Sequence, residues 1–219
     1  MTEIFDVYDE RDRWIGTADR REVHAKGLWH RTVHCWLVRK ADGNGIDAPI
    51  AKVLFQQRSA GKDTNPGRFD ITAAGHLAAG ETPEAVVREL EEELGVVVEF
   101  GRLSELGVVR ERLSGVVGGV AYHDNEVSRV FGLATETELA GFRLQEEEVA
   151  GLYEADAEEL IALFEGRAER IRAEGVALRD GRLQASEAEI ACSSFVPRDS
   201  GYYVGVFRYL RELALRGTG

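Results

Sequence analysis

Cysteine is almost missing from this chain: Cys35 and Cys192 are the only two among 219 residues, with no CxxC pair and no regular spacing. A disulfide framework is therefore excluded as the organising device, and two free thiols in a reducing cytoplasm are expected. Basic charge is also in short supply. Lys and Arg total 27 against 39 Asp and Glu, a formal net charge of -12, and no stretch gathers the basic residues into a stripe. That leaves out the electrostatic footprint of a protein that holds nucleic acid stably. Long apolar runs are missing too: no segment approaches the ~18 consecutive apolar residues of a membrane-crossing helix. The first twelve residues mix acidic and apolar side chains without the basic start and apolar run of a signal peptide. With no internal repeat and no low-complexity linker, nothing divides the chain into two independent domains.

What is present is an ordinary globular composition, 44% hydrophobic and 30% charged, in a length that suits one core with terminal elaborations. The pattern predicts a hairpin-like N-terminal extension over residues 1–29, with strands at 4–8 and 14–18. A core spans residues 30–165, and a C-terminal elaboration covers 166–219. Apolar, partly β-branched runs at 32–38 and 53–57, separated by the loop signal Ala41-Asp42-Gly43-Asn44-Gly45, read as adjacent strands. Asn65-Pro66-Gly67 marks a turn before a strand at 69–73. Further strands are expected at 96–100, 106–110, 126–133 and 149–153, and amphipathic helices at 156–164 and 204–215. Residues 167–194 are charged and ambiguous.

The firmest local reading is a helix over residues 83–94. Thr82 offers an N-cap hydroxyl, Pro83 sits at the first helical position, and Gly95 follows the last apolar residue. Val86, Val87, Leu90 and Leu94 fall on one face, toward the core. Glu89, Glu92 and Glu93 stand at i, i+3 and i+4, so three carboxylates crowd one side, at about 0.2 to 0.5 kcal/mol of repulsion per exposed pair. A cation must offset this. Arg88 can pair with one carboxylate, but oxygens converging beside an apolar stripe suit a hard ion, Mg²⁺ or Mn²⁺. Such an ion would bridge protein carboxylates to a substrate phosphate and activate a water, the assistance phosphoanhydride hydrolysis needs. The alternative for any acidic run is a solvated helix face. The ordered set of loop glycine, Glu81, Thr-Pro cap, Arg-Glu-Leu, paired Glu and Gly-Val argues against it.

That set resembles the Nudix box: a Gly, five residues, a Glu, seven residues, then Arg-Glu-apolar-any-Glu-Glu-any-Gly-apolar. Gly75, Glu81, Arg88, Glu89, Leu90, Glu92, Glu93, Gly95 and Val96 match it in order, except that six residues separate Glu81 from Arg88 instead of seven. The shortening leaves the mutual spacing of Glu89, Glu92 and Glu93 intact. The resemblance implies an α/β fold, a Nudix-type α/β/α sandwich with a mixed sheet, here with a C-terminal helical extension. It also implies hydrolysis of a phosphoanhydride bond in a nucleoside-diphosphate-linked or other diphosphate compound. Glu89 and Glu93 would bind the metal, Glu92 would bind it or help activate water, Gly75 would offer its carbonyl, and Arg88 would orient the carboxylates. In this family a further base often follows the box. Glu148, in the run Gln145-Glu146-Glu147-Glu148, is the leading position, with a solvated acidic turn as the alternative.

The first half also resembles the isopentenyl-diphosphate isomerase branch of the superfamily, in Glu22-Val23-His24, in Trp29-His30 through Leu37, in Gln57-Arg58 and in Gly75-His76. In the isomerases, histidines and carboxylates hold a metal, and a Cys just before the Gly-His pair takes part in proton transfer. Here Ala74 stands there, which disfavours isomerisation. A non-catalytic diphosphate sensor is a third reading, countered by the intact box. His24, His30, His34 and His76 are either a second metal site or ordinary local histidines. Arg58 is a phosphate clamp or a surface ion pair, and Lys62 and His76 are the other expected substrate-binding residues. A homodimer is the default expectation for assembly.

Overall fold

The computed structural model describes residues 3–42, 49–117 and 119–216. In chain order, β1 (Ile4–Tyr8) and β2 (Trp14–Asp19) form a hairpin that leads into α1 (Arg20–Lys26) and then β3 (Trp29–Asp42). Next come β4 (Pro49–Arg58), β5 (Phe69–Asp70), β6 (Ala73–His76) and α2 (Val86–Leu94). They are followed by β7 (Ser104–Val117), β8 (Val120–Thr135), β9 (Val149–Asp156) and α3 (Ala157–Phe164). The chain closes with β10 (Ile171–Arg179), β11 (Arg182–Ile190) and α4 (Ser200–Leu215). The glycine part of the loop signal at 43–45 lies outside the described residues.

The two-residue alternation of β3 and β4 builds the layers. Val33, Cys35, Leu37 and Leu54 point to the face that α2 covers with Val86, Leu90 and Leu94. Trp36, Val38, Val53 and Phe55 point to the opposite face, under Leu160, Ile161 and Phe164 of α3 and Tyr203, Phe207 and Leu210 of α4. Leu90 and Leu94 are wholly buried, and each fully buried Leu contributes roughly 1.5–3 kcal/mol. The result is the expected mixed α/β sandwich, with helices on both faces of one sheet in the order β11-β10-β9-β4-β3-β1-β2.

The pairing of β3 determines where the site lies. One edge runs parallel to β8 from Trp29↔Asn125 to Arg39↔Thr135. The other edge is divided: Thr32 to Cys35 pair with β6, while Leu37 to Asp42 pair with β4. Thr72 fills the fork, its hydroxyl accepting from Leu37 N at 3.0 Å and donating to the Leu54 carbonyl.

Four local readings change. Residues 96–100 form no ladder strand. The Val96 amide is used by the helix end, bonding the Leu90 carbonyl at 3.0 Å, and Val96, Val98 and Phe100 pack on the α2 core as an irregular segment ending in a 3-10 turn. The helix start at Pro83 is a 3-10 turn, with α2 proper beginning at Val86, and Thr82 makes no side-chain cap bond to the backbone. Residues 20–26, with Asp19 capping through Glu22 N and Gly27 left-handed at φ 61°, form an extra helix. The C-terminal extension is not helical throughout, because residues 171–190 are a β-hairpin ahead of α4.

Candidate active site

The loop from β6 to α2 brings the box residues together. Glu89 lies so close to Gly75 that a Cβ there would stand 2.2 Å from the Glu89 carboxyl carbon, so only glycine permits the approach. Arg88 binds the carboxylates from outside, reaching Glu89 at 2.8 Å, Glu92 at 2.9 Å and Glu81 at 3.3 Å. Glu81 also accepts from the Ala78 amide at 2.8 Å, so the shortened spacing still delivers it to Arg88. Glu93 points inward and is 4% exposed. Gln56 donates to its Oε2 at 3.1 Å. Burial, and next the neighbouring Glu89, push the Glu93 carboxyl up to about 8. Burial also raises Glu89, against the pull of Arg88. Glu92 stays half exposed, turned to Arg88.

These groups line one wall of a cavity of about 470 Å³. Lys62 lies across it in an ion pair with Glu148, and its pKa is lowered by burial and then by Arg58. Glu148 is therefore the member of its acidic run that lines the cavity, while Glu146 and Glu147 are exposed. Arg58 also lines the cavity, with most of its fork committed: Asp70 accepts from one nitrogen at 2.9 Å, and the Thr64 carbonyl from two others at 3.0 and 3.1 Å. Twice as many carboxylates as Arg and Lys side chains line the cavity, so an anionic substrate needs added positive charge to enter it.

At the far end, His24 of α1, His30 of β3, His76 of β6 and Asp124 of β8 bring one ligand atom each to within 4.8 Å of one another. His76, expected at the substrate, is thus part of this cluster. Glu126 Oε1 adds a fifth group, 3.6 Å from His76 Nε2 and 3.9 Å from His30 Nε2. His30 Nδ1 faces the Leu28 carbonyl at 3.1 Å, and a carbonyl only accepts, so the proton is on Nδ1 and the Nε2 lone pair points inward. The Nε2 atoms of all three histidines and Asp124 Oδ1 are buried without hydrogen-bond partners. Burial is the largest cause lowering the pKa of each ring, which keeps the imidazoles neutral. Neutral imidazole nitrogens and buried carboxylates with no proton partner are the donor set of a divalent cation. His34 is not part of this group.

Arg198, Asp70, Asp124 and Glu126 were not singled out from the sequence. Arg198, between β11 and α4, is 7% exposed in its side chain and binds Asp70 at 2.6 Å and Glu111 at 3.2 Å while lining the cavity. Asp124 and Glu126 carried a usable signal: alternate positions of one strand beside a histidine-rich one.

A family model, the NUDIX domain, matches residues 28–174. An uncharacterized Nudix hydrolase of Clostridium acetobutylicum is 34% identical over 211 residues, 96% of this chain and 98% of that protein. The uncharacterized Nudix hydrolase YfcD of Shigella flexneri is 33% identical over 164 residues, 74% of this chain and 78% of the other. Among solved structures, DR0079 of Deinococcus radiodurans superposes with a TM-score of 0.50 at 22% identity, over 75% of this chain and 90% of that one.

Proposed function

The chain belongs to the Nudix hydrolase family, and from that premise we propose that it hydrolyses a diphosphate-linked compound with Mg²⁺ or Mn²⁺ held by Glu89, Glu93 and the Gly75 carbonyl. Phosphoanhydride hydrolysis is the family's chemistry. The observation that carries the metal assignment is the Glu89–Glu93 pair, with the Glu89 carboxylate in space that a Cβ on residue 75 would take and Glu93 buried, its charge unfavourable until a cation arrives. The donor set fits a hard ion. When bound, that ion neutralises the diphosphate and lowers the pKa of an attacking water.

The side chains divide the remaining work. Arg88 fixes Glu89 and Glu92 so that their oxygens do not rotate away. Gln56 and the Ala74 backbone hold the Glu93 carboxylate in place. Lys62 and the spare donor of Arg58 receive phosphate oxygens from the wall opposite α2. Glu148 takes the water's proton once Lys62 has moved from it to phosphate. The cluster of His24, His30, His76, Asp124 and Glu126 is a second cation site, supported by its unpartnered nitrogens.

The isomerase reading needs an acid/base thiol next to Gly75. Ala74 stands there, and Cys35 is fully buried with its thiol pushed up by burial. The deciding experiment is phosphate release from a panel of diphosphate compounds with and without Mg²⁺, with isopentenyl diphosphate included and its isomer assayed in parallel. Metal-dependent hydrolysis of one class is expected. Isomer formation without hydrolysis would overturn the proposal.

A further inference from the structure

His30 and His34 lie on the same face of β3, four residues apart, yet their surroundings set them to opposite tautomers. His30 presents a lone pair to the cation cluster, as its Leu28 contact requires. For His34 the reasoning starts at Trp36, whose Nε1–H can only donate and does so to the Tyr202 hydroxyl at 3.0 Å. Tyr202 is buried, and its hydroxyl has one proton of its own to place. Among the described residues its other neighbour is His34 Nδ1, also at 3.0 Å. Buried donors are almost always satisfied, so the hydroxyl donates to Nδ1 and the ring proton is on Nε2. Burial, then Arg198, lowers the His34 pKa to about 3, so a second ring proton does not compete. His34 is 2% exposed, lines the cavity, and its Nε2 has no protein partner among the described residues.

We propose that His34 is a substrate-contacting residue whose Nε2–H donates to an oxygen of the bound diphosphate compound, with Trp36 and Tyr202 acting as positioning residues that hold the ring in that tautomer. The inference rests on the reading of the cavity as a diphosphate site. It gives the first turn of α4 a role in binding and separates these four histidines by charge preference: His24, His30 and His76 receive a cation, and His34 serves the anion. A protonated Nε2 cannot ligate a metal, so His34 stays outside the cation cluster for a chemical as well as a spatial reason.

The test uses ring-nitrogen NMR on the full-length protein, with methylene diphosphonate and Mg²⁺ as the probe and calorimetry in parallel. In the free protein His34 should show Nε2 protonated and Nδ1 bare, and saturation with the probe should shift the Nε2–H signal. His34→Leu should weaken the probe about tenfold or more, the loss expected for a hydrogen bond to a charged acceptor. His34→Gln, which keeps a donor near the Nε2 position, should recover most of that affinity. Tyr202→Phe should scramble the tautomer signature, which a merely structural role would leave alone. Protonated Nδ1, or a probe that binds with heat while the His34 ring is unmoved, overturns the proposal and leaves the diphosphate reading standing. A probe that neither releases heat nor shifts any ring signal overturns both.

Discussion

Replacing Glu93 by Gln should favour the metal-free fold as pH rises toward neutrality and lower the activity of the protein in Mg²⁺. Burial lifts the folded carboxyl from 4.5 to about 8. Between those two values the folded protein keeps a proton that the unfolded chain has released. The favourable contribution is thus complete below pH 4.5 and declines as pH rises to about 8, at about 1.4 kcal/mol per pH unit. Gln does not titrate, and its carbonyl can still accept from Gln56. From pH 5.5 to 7.5 the stability of Glu93→Gln relative to the parent should therefore rise by about 3 kcal/mol, or roughly 5–10 °C in melting temperature for a chain of this size. Thermal and urea unfolding in EDTA across that range measures the difference. Mg²⁺ should raise the parent's melting temperature more than the variant's, which keeps only the histidine cluster to bind an ion, while kcat/KM falls about a hundredfold or more with the lost cation site. A stability difference that stays flat with pH would refute the buried-carboxylate reasoning. Full Mg²⁺-dependent turnover in the variant would refute the metal assignment.

Gly75→Ala should force the Glu89 carboxylate out of position and reduce kcat/KM at least tenfold with little loss of stability, because the clash is with the end of a flexible side chain; a variant with parental kinetics would show that Glu89 does not need that approach. Protein carrying Glu89→Gln and Glu93→Gln should still retain a divalent ion by elemental analysis, and adding His30→Ala should release it; an empty double variant would remove the second cation site. Arg198→Met should destabilise by about 3–5 kcal/mol in urea unfolding, because it strands the Glu111 charge and leaves buried Asp70 with Arg58 alone. Adding Asp70→Asn should recover part of that loss, and strictly additive losses would argue against the pairing.

The box was legible because its requirements are local. The i, i+3, i+4 carboxylates, the apolar stripe and the Gly95 stop all act within one helix and its loop, and the structure assembles them as spaced. The hairpin of β10 and β11 is equally local, yet it lies in the stretch 167–194 that reads as charged and ambiguous. Asp180 and Gly181, both at positive φ, are a two-residue turn signal between Leu178-Arg179 and Arg182-Leu183. Small inward residues such as Ala173 and Gly175 blur its alternation, and the outward Arg172–Glu187 pair reads as an undifferentiated charge run. Arg198 and Asp70 are a different case. Their pairing crosses 128 positions, and nothing near either residue says that it will be buried. Asp124 lies between these cases: its alternation with Glu126 was readable, but its meeting with His24 and His30 depends on β8 lying beside both β3 and α1.

That pairing also explains why so many functional groups from distant parts of the chain meet in one cavity. A strand edge can serve only one neighbour at each position. Once β6 has taken Thr32 to Cys35, β4 has to begin at Leu37, and the two neighbours separate. Gly75 and His76 leave along one branch, and Gln56 and Arg58 along the other, so the loop into α2 and the loop carrying Lys62 flank the same opening. On the uninterrupted edge, β8 runs beside His30, Thr32 and His34 and adds Glu126 opposite His30. Only the face remains to be closed, and α4 closes it, with Tyr202 against His34 and Trp36. The C-terminal elaboration therefore reaches the cavity, through Val196 and Arg198 in its lining and through Tyr202 behind His34. Truncation ahead of α4 should uncover Trp36 and Phe55, the center of one core layer, so its first effect should be loss of the fold and not a change in specificity.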